Sequence, residues 1–347
     1  MDIQQTIGQL LCVGFAGQSS DDASVQTILR HIESGLVGSV ILFDYNVRDP
    51  YQLERLVSSL KNAARHHPLF VMVDQEGGKV QRLSSRNGFT DFPSAQSLGG
   101  SDSEEAIYQT YRQMAQELAS VGINFNFAPC VDLDHDPSCP VIGALGRSFG
   151  STVESVVAAA NQCVRAMDDA GIVTCLKHYP GHGSAQSDSH KGMTDITDCW
   201  ATVEQMPFSE MIQQGSARSV MMGHLIHRNI DSGVPATLSG EWVRQLREDM
   251  DWQDGVIVSD DMHMGAILDF AAQPDVVVQS LGAGLDLLVF SNNPAAAQGR
   301  VSFTPDEQLP RQLNQLILEK ITSGEVSERA VEQSSLRVQN LKRRLVN

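Results

Sequence analysis

The sequence predicts an α/β fold, a TIM (β/α)8 barrel formed by a single domain of residues 1–347 with extra C-terminal helices. Strand-like apolar runs recur along the chain, amphipathic segments with helical spacing separate them, and 347 residues suit such a barrel with additions. Strands joined through helices run parallel with right-handed crossovers. The repeating βα order therefore favours a closed barrel.

Eight short runs rich in apolar residues give the predicted strands. They cover residues 13–15, 38–43, 69–73, 123–129, 173–176, 219–222, 255–258 and 285–290. A doubly wound open sheet is the alternative, but such a sheet more often carries a glycine-rich phosphate turn after its first strand. The fragment Gly282-Ala283-Gly284 precedes a strand instead, so it gives no support to dinucleotide binding.

The segments between these runs have the spacing of amphipathic helices. They include residues 103–121, 153–170, 200–214, 239–250 and 275–283. The last stretch, 307–345, is rich in Arg, Lys, Gln and Glu and has no strand-like run. We interpret it as closing helices that pack on the barrel, not as a second domain.

The composition narrows the possible partners. With 41% hydrophobic residues and a formal net charge of −17, the chain can form a large core but would repel a phosphate backbone. It also lacks a basic stripe with interleaved aromatic residues, so we expect no nucleic-acid partner. No window approaches the roughly 18 consecutive apolar residues of a membrane span. We expect no membrane partner and a monomer or weak homodimer.

The cysteines and the N-terminal residues predict a cytoplasmic location. The six cysteines show no Cys-x-x-Cys pair and no metal-ligand spacing, which favours reduced, mainly buried thiols. The first residues are acidic and polar, where a secretory signal would be basic and then apolar. We expect neither a cofactor nor a metal.

Polar residues follow several predicted strands at the point where each strand ends. In a TIM barrel these C-terminal ends form the catalytic mouth, so residues far apart in sequence converge there. The residues at these positions are Asp74, Asp132, Lys177, His178, His224, Asp260 and Asp261. Their convergence predicts an active site and is harder to explain as solvated surface.

The segment 177–190 holds a lysine, three histidines and an aspartate around Pro180 and Gly181. Neither residue favours a continuing helix. We therefore predict that Lys177 and the residues after it lie on an active-site loop that follows the strand 173–176.

Five segments, in order, resemble the family 3 glycoside hydrolases of the β-N-acetylhexosaminidase type, the single-domain bacterial enzymes of cell-wall recycling. The resemblance spans nearly the whole chain. The segments are DQEGGKVQR at 74–82, NFNFAPCVD at 124–132, GRSFG at 146–150, KHYPGHGSAQSDSH at 177–190 and SDDM at 259–262. Each is modest evidence by itself, but five in order at barrel strand ends form a specific signal.

The resemblance implies that Asp260 is the nucleophile of a retaining mechanism, because a carboxylate there can stabilise and then bond the positive anomeric carbon. Asp261 is the weaker candidate, since neighbours in a strand point to opposite sides unless the strand twists locally. The alternative for Asp260 is a helix-capping role.

The resemblance also implies an unusual acid/base pair, Asp188 and His190. An aspartate two residues away on a bent loop could fix the imidazole tautomer and favour its protonated form. His190 would then protonate the leaving oxygen and later deprotonate water. A solvated Asp-Ser-His turn is the alternative.

The resemblance further implies that five residues hold the hydroxyls of the non-reducing sugar by charge-assisted hydrogen bonds. They are Asp74, Arg82, Arg147, Lys177 and His178. The two arginines could instead pair with acidic residues near the barrel rim. We expect His182, Asp132 and His224 to brace loops or support other site residues.

The expected activity is release of terminal β-linked N-acetylglucosamine, from peptidoglycan-derived muropeptides or chitooligosaccharides. The loop 183–187 departs from the family pattern, which leaves the aglycone open. The alternatives are a β-glucosidase or xylosidase of the same family, a phosphorolytic member, a metal-dependent hydrolase using the clustered histidines, an acetamido-assisted mechanism, and a sugar-binding barrel without activity.

Overall fold

The computed structural model describes residues 2–100, 103–189, 192–296 and 303–345. Within these residues, eight parallel strands form a closed barrel in which each strand pairs with the next along the chain and the last pairs with the first. The predicted TIM-barrel fold is confirmed. The strands are β1 (Leu11–Gly14), β2 (Ser39–Leu42), β3 (Phe70–Val73), β4 (Phe125–Asn126), β5 (Val173–Tyr179), β6 (Ser219–Met222), β7 (Val256–Asp261) and β8 (Leu287–Phe290).

Helices surround the barrel. Those in the described residues are α1 (Ile3–Gly8), α2 (Ala23–Glu33), α3 (Pro50–Ala63), α4 (Ala95–Gly99), α5 (Glu104–Ser120), α6 (Val153–Asp169), α7 (Met206–Gln213), α8 (Gly240–Arg244), α9 (Gly265–Phe270), α10 (Gln273–Ala283), α11 (Leu309–Thr322) and α12 (Glu328–Arg343). The described part of the chain also forms two small sheets outside the barrel. One pairs Gln75–Gly77 with Val80–Gln81, and the other pairs Thr194–Asp195 with Leu225–Ile226.

Short polar side chains begin several of these helices. The Asp49 carboxylate accepts a hydrogen bond from the Gln52 amide at the start of α3, and Thr152 does the same for Ser155 in α6. Each bond satisfies one of the amides that the first helical turn leaves without a partner. The predicted helices 103–121 and 153–170 match α5 and α6 to within one residue at each end.

Two predicted helices differ from the observed structure in their winding. The segment 200–214 begins as a 3₁₀ turn, Thr202–Gln205, before α7 starts. The segment 239–250 contains α8 and continues as a π-helical turn, Gln245–Asp249. Periodicity of apolar residues does not distinguish these tighter and wider windings from an α-helix.

The closing helices α11 and α12 pack on the barrel as predicted. Val338 and Leu341 of α12 join the apolar cluster inside the barrel. The buried Lys342 amine reaches the carbonyl oxygen of Gly38 at 2.6 Å and Oε1 of Gln9 at 2.8 Å. Because Gln9 and Gly38 precede β1 and β2, α12 closes the N-terminal end of the barrel and leaves the C-terminal end as the open mouth.

The structure corrects the predicted positions of four site residues. Lys177 and His178 lie in β5, which runs on to Tyr179, and not on a loop after it. Asp260 and Asp261 likewise lie in β7 and do not follow it. Polar side chains at these positions do not end the strands, because they point into a polar mouth. Among the described residues, no helix has the length and apolar character needed to cross a bilayer.

Candidate active site

A cavity of about 380 Å³ opens at the C-terminal ends of the barrel strands. Six of the seven predicted site residues that the structure describes line it, namely Asp74, Arg82, Arg147, Lys177, His178 and Asp260. The seventh, Asp188, lies outside this lining on the following loop. The eighth predicted residue, His190, lies outside the described residues.

Lys177 is the central cation of the mouth. Its Nζ atom lies 2.9 Å from Oδ1 of Asp74 and 2.7 Å from Oε1 of Glu76, and its side chain is 2% exposed. Burying an ammonium without a partner would be costly. The two carboxylates neutralise it, which explains how β5 carries a lysine inside a barrel strand.

Arg147 binds the same Glu76 carboxylate from the other side. Its Nε and Nη2 atoms donate at 2.9 and 2.8 Å, and its Nη1 atom donates to the carbonyl oxygen of Val141 at 2.8 Å. A planar guanidinium held at two nitrogens has a fixed orientation. Arg147 thus pairs with an acidic residue, as the alternative prediction states, and it also lines the cavity.

These ion pairs change the pKa values of the groups involved. Burial alone would raise the pKa of Glu76, but Arg147 and Lys177 outweigh burial and lower it to about 2. Burial is likewise outweighed at Asp74, where Lys177 and Arg82 hold the pKa below its usual value. Burial would lower the pKa of Lys177, yet the two carboxylates raise it. All three groups are therefore charged at neutral pH.

Asp132 orients His178. Its carboxylate accepts hydrogen bonds from Nδ1 of His178 at 2.7 Å and from the His178 and His182 amides at 3.1 and 2.8 Å. Nε2 of His178 lies 3.2 Å from Nη2 of Arg147, which can only donate. The Nδ1–H group of His178 therefore faces Asp132, and Nε2 is placed to accept a hydrogen bond from Arg147. Asp132 supports another site residue, as the sequence predicts.

Arg82 is only partly used by its neighbours. Its Nη2 atom lies 3.2 Å from Oδ2 of Asp74, and its guanidinium carbon lies 5.7 Å from the centre of the Phe43 ring. Its Nε atom is buried and has no hydrogen-bond partner among the described residues. A buried donor without a partner is costly. The Arg82 side chain is partly exposed and lines the cavity, so its outer guanidinium nitrogens can donate to a ligand hydroxyl.

The strand that carries Asp260 is irregular. Between the pairs Val258–Leu287 and Asp261–Val289, β7 has one more residue than β8, which is a β-bulge. Oδ1 of Asp260 accepts a hydrogen bond from the Asp261 amide at 2.8 Å. The bulge is the local twist that lets both aspartates line the cavity.

Asp261 has a different set of contacts from Asp260. Its Oδ1 atom accepts from the Ser291 amide at 2.8 Å and the His263 amide at 3.1 Å, while its carbonyl oxygen lies 2.9 Å from Nε2 of His224. Burial raises the pKa of Asp261. The side chain is thus committed to backbone amides, and His224 braces the same residue, as predicted for a supporting group.

The loop after β5 is fixed at several points. A Cβ atom at Gly183 would lie 1.7 Å from the carbonyl oxygen of Leu133, so only glycine fits there. Nε2 of His182 lies 3.4 Å from Oγ of Ser189, and the Ser189 carbonyl accepts from the Ala266 amide at 3.2 Å. Burial lowers the pKa of His182 to about 4, so this imidazole is neutral. His182 stabilises the loop, as its place between two glycines suggests.

One group of possible metal ligands exists among the described residues. Cys130, Asp132 and His178 bring their ligand atoms within 4.8 Å of one another. Hydrogen bonds already account for this proximity, because the Cys130 thiol and Nδ1 of His178 both donate to Asp132. His182, one of the histidines in the metal hypothesis, is not part of this group.

Sequence reasoning missed Glu76 as a site residue, although it belongs to the first of the five segments. Its carboxylate joins Lys177 to Arg147 and is 5% exposed. A glutamate that follows a strand by three residues is unremarkable by pattern. The missing signal was charge balance, since three predicted cations at one mouth need more carboxylate than Asp74 supplies.

Comparison with known proteins places the chain among related sequences. Residues 2–341 match the glycosyl hydrolase family 3 N terminal domain. Beta-hexosaminidase A of Pseudoalteromonas piscicida is 32% identical over 331 residues, which are 89% of this chain and 54% of that protein. The beta-hexosaminidase of Tolumonas auensis is 36% identical over 281 residues, 80% of this chain and 81% of the relative.

Solved structures give the same result. The family 3 beta-N-acetylglucosaminidase of Paenibacillus superposes with a TM-score of 0.88 at 32% identity, covering 100% of this chain and 63% of that one. Beta-N-acetylhexosaminidase of Beutenbergia cavernae has a TM-score of 0.84 at 26% identity, covering 99% and 98%. The chain thus spans little more than half of some relatives and nearly all of others. The resemblance drawn from the five segments is confirmed.

Proposed function

The chain belongs to glycoside hydrolase family 3, and on this basis we propose that it is a retaining exo-glycosidase that releases terminal β-linked N-acetylglucosamine. The names of its relatives, beta-hexosaminidase and beta-N-acetylglucosaminidase, support N-acetylglucosamine as the released sugar. One observation carries the proposal. A carboxylate, Asp260, shares one cavity with buried paired charges at the ends of β3 and β5.

The paired charges suit the hydroxyl groups of a sugar. Lys177 and Arg147 are held by Glu76, so they present donors without needing to move. Asp74 supplies a charged acceptor, and the partly exposed guanidinium of Arg82 supplies donors at the cavity wall. Sugar hydroxyls both donate and accept, and a preorganised set of both kinds costs little to align.

Asp260 would act first as nucleophile. It attacks the anomeric carbon from one face, the glycosidic bond breaks, and a covalent glycosyl-enzyme forms. His190, supported by Asp188, donates a proton to the leaving oxygen. In the second step His190 removes a proton from water, which attacks the anomeric carbon and releases Asp260. The sugar leaves with its original configuration.

Muropeptide fragments and chitooligosaccharides are the proposed natural substrates. The family resemblance supports cell-wall recycling, and the free, mainly buried cysteines support a cytoplasmic location. The cavity supports a small carbohydrate as the partner. We propose a monomer or weak homodimer as the working form.

Side-by-side assays with chromogenic N-acetylglucosaminide, glucoside and xyloside test the proposal. We expect turnover of the N-acetyl sugar and about 10³-fold or greater loss in Asp260→Ala with the fold intact. Asp254→Ala, which changes an exposed aspartate of the loop before β7, is the control. Equal or faster turnover of the neutral sugars would contradict the sugar assignment, and binding without any turnover would indicate a sugar-binding barrel.

Two further conditions separate the remaining alternatives. Activity retained in chelator, with no zinc bound to the purified protein, would remove the metal-dependent mechanism. Sugar phosphate formed when phosphate is present, in place of free sugar, would identify a phosphorylase.

A further inference from the structure

The bulge in β7 leaves backbone amides of the neighbouring strand to be satisfied in an unusual way. The Val289 amide donates to Oγ of Ser259 at 2.8 Å, and the Ser291 amide donates to Oδ1 of Asp261 at 2.8 Å. In a regular parallel ladder these amides would donate to main-chain carbonyl oxygens. Here two side chains of β7 take the place of its carbonyl groups.

Because side chains replace these carbonyl groups as acceptors, the main chain on both sides of Asp260 need not pair with β8. With Val289 satisfied by the Ser259 side chain, the backbone between Ser259 and Asp261 can turn out of the ladder. The Asp261 amide then donates to Oδ1 of Asp260 at 2.8 Å. Pairing resumes directly afterwards, where the Met262 amide donates to the carbonyl oxygen of Val289 at 2.8 Å. Val289 is thus bonded on both sides of the bulge.

We propose that Ser259 is a positioning residue for the nucleophile, and this rests on the proposed role of Asp260. Its Oγ atom holds β8 against the bulge and so fixes the direction in which the Asp260 carboxylate enters the cavity. Ser259 is fully buried, and it is absent from the cavity lining that contains Asp260 and Asp261. It therefore acts through the backbone and not by touching the sugar.

The test compares Ser259→Ala with two other variants. Ser259→Thr keeps the hydroxyl acceptor. Ser219→Ala removes another fully buried serine hydroxyl of the barrel, one that donates to the carbonyl oxygen of Thr174 at 2.8 Å, but at the start of β6. If Ser259→Ala does not fold, Ser259→Cys replaces it, because a thiol has similar size and is a weaker acceptor.

The first measurement is the single-turnover rate of dinitrophenolate release from 2,4-dinitrophenyl N-acetyl-β-glucosaminide. We expect Ser259→Ala to lower the maximal single-turnover rate by about 10²-fold. The concentration that gives half of this rate should change little, because a misdirected nucleophile affects the transition state more than substrate binding. We expect Ser259→Thr to recover most of the rate and Ser219→Ala to retain it. A wild-type rate in Ser259→Ala, or an equal loss in Ser219→Ala, would overturn the proposal.

Hydrogen exchange of the segment 287–291 gives a readout that does not depend on the substrate. Loss of the acceptor in Ser259→Ala should speed exchange in this segment, and unchanged exchange would count against the hydrogen bond. If the wild-type enzyme does not act on the N-acetyl substrate at all, the proposed function fails. The exchange result then still tests the structural part of the inference.

Discussion

Glu76 and Arg147 form a two-point ion pair, with nitrogen–oxygen distances of 2.9 and 2.8 Å, at the barrel mouth. Lys177 binds the same carboxylate at 2.7 Å. One buried glutamate therefore orients two of the cations that we assign to the sugar.

Glu76→Gln should weaken substrate binding without removing a group that performs chemistry. An amide keeps the shape but loses the charge, so Lys177 and Arg147 lose their shared counter-ion. We expect kcat/KM to fall by about 10- to 100-fold, mostly through KM. Glu241→Gln is the control, because Glu241 pairs with Arg244 at the surface, where an ion pair contributes little. An unchanged KM in Glu76→Gln would refute this role.

The same glutamate should make the fold sensitive to acid. Because its pKa in the fold is about 2 and its usual value is 4.5, the stabilisation is complete above pH 4.5 and is lost as the pH falls towards 2. Denaturant unfolding from pH 6 to pH 2 should therefore show a steeper loss of stability in the wild type than in Glu76→Gln. Glu332→Gln, an exposed glutamate of α12, should keep the wild-type slope. Identical slopes in all three proteins would exclude Glu76 as a cause.

Asp132→Asn should disturb His178. Asp132 accepts hydrogen bonds from the His178 ring and from two backbone amides. In asparagine, one of the two carboxylate oxygens is replaced by an NH2 group, which cannot accept a hydrogen bond from these donors. Each buried group left without a partner costs about 1–3 kcal/mol. Since a factor of ten corresponds to about 1.4 kcal/mol, we expect kcat/KM to fall by roughly 100-fold. We also expect a lower Tm. The partly exposed Asp136, on the same loop, provides Asp136→Asn as the control. Equal kinetics in the two variants would show that His178 does not depend on Asp132.

Lys342 should give the fold a second pH dependence, at the opposite end of the barrel. Burial lowers its pKa from 10.5 to about 7, so between these values the unfolded chain binds more protons than the folded chain. Stability should rise with pH across this window, by up to about 1.4 kcal/mol per pH unit. Lys342→Met should flatten the rise measured by urea unfolding at pH 7, 8.5 and 10. Lys320→Met, at a partly exposed ion pair, should not.

The sequence predicted the barrel well because its signals are local. Each apolar run is short, a helix-forming segment separates it from the next, and short polar residues such as Asp49 and Thr152 begin the helices. Six of the seven described site residues also meet at one cavity, since the C-terminal ends of parallel strands share one edge.

The remaining errors concern distant partners. Lys177 is predicted on a loop because Pro180 and Gly181 follow the apolar run 173–176. It lies in β5 instead, where Asp74 and Glu76 neutralise its charge. The bulge at Asp260 depends on the hydrogen bond between Ser259 and Val289, which are thirty residues apart in the chain. Neither relationship has a periodic pattern that a single sequence could reveal.

Trapping the glycosyl-enzyme intermediate tests most directly whether Asp260 forms a covalent bond to the sugar. The enzyme is incubated with a 5-fluoro N-acetylglucosaminyl fluoride, whose glycosyl-enzyme hydrolyses slowly, and its peptides are then analysed by mass spectrometry. We predict one added sugar on the peptide that contains Ser259-Asp260-Asp261, located on Asp260 by fragmentation and absent in Asp260→Ala. Turnover without a covalent adduct, as an acetamido-assisted mechanism would give, or an adduct on Asp261, would contradict the account.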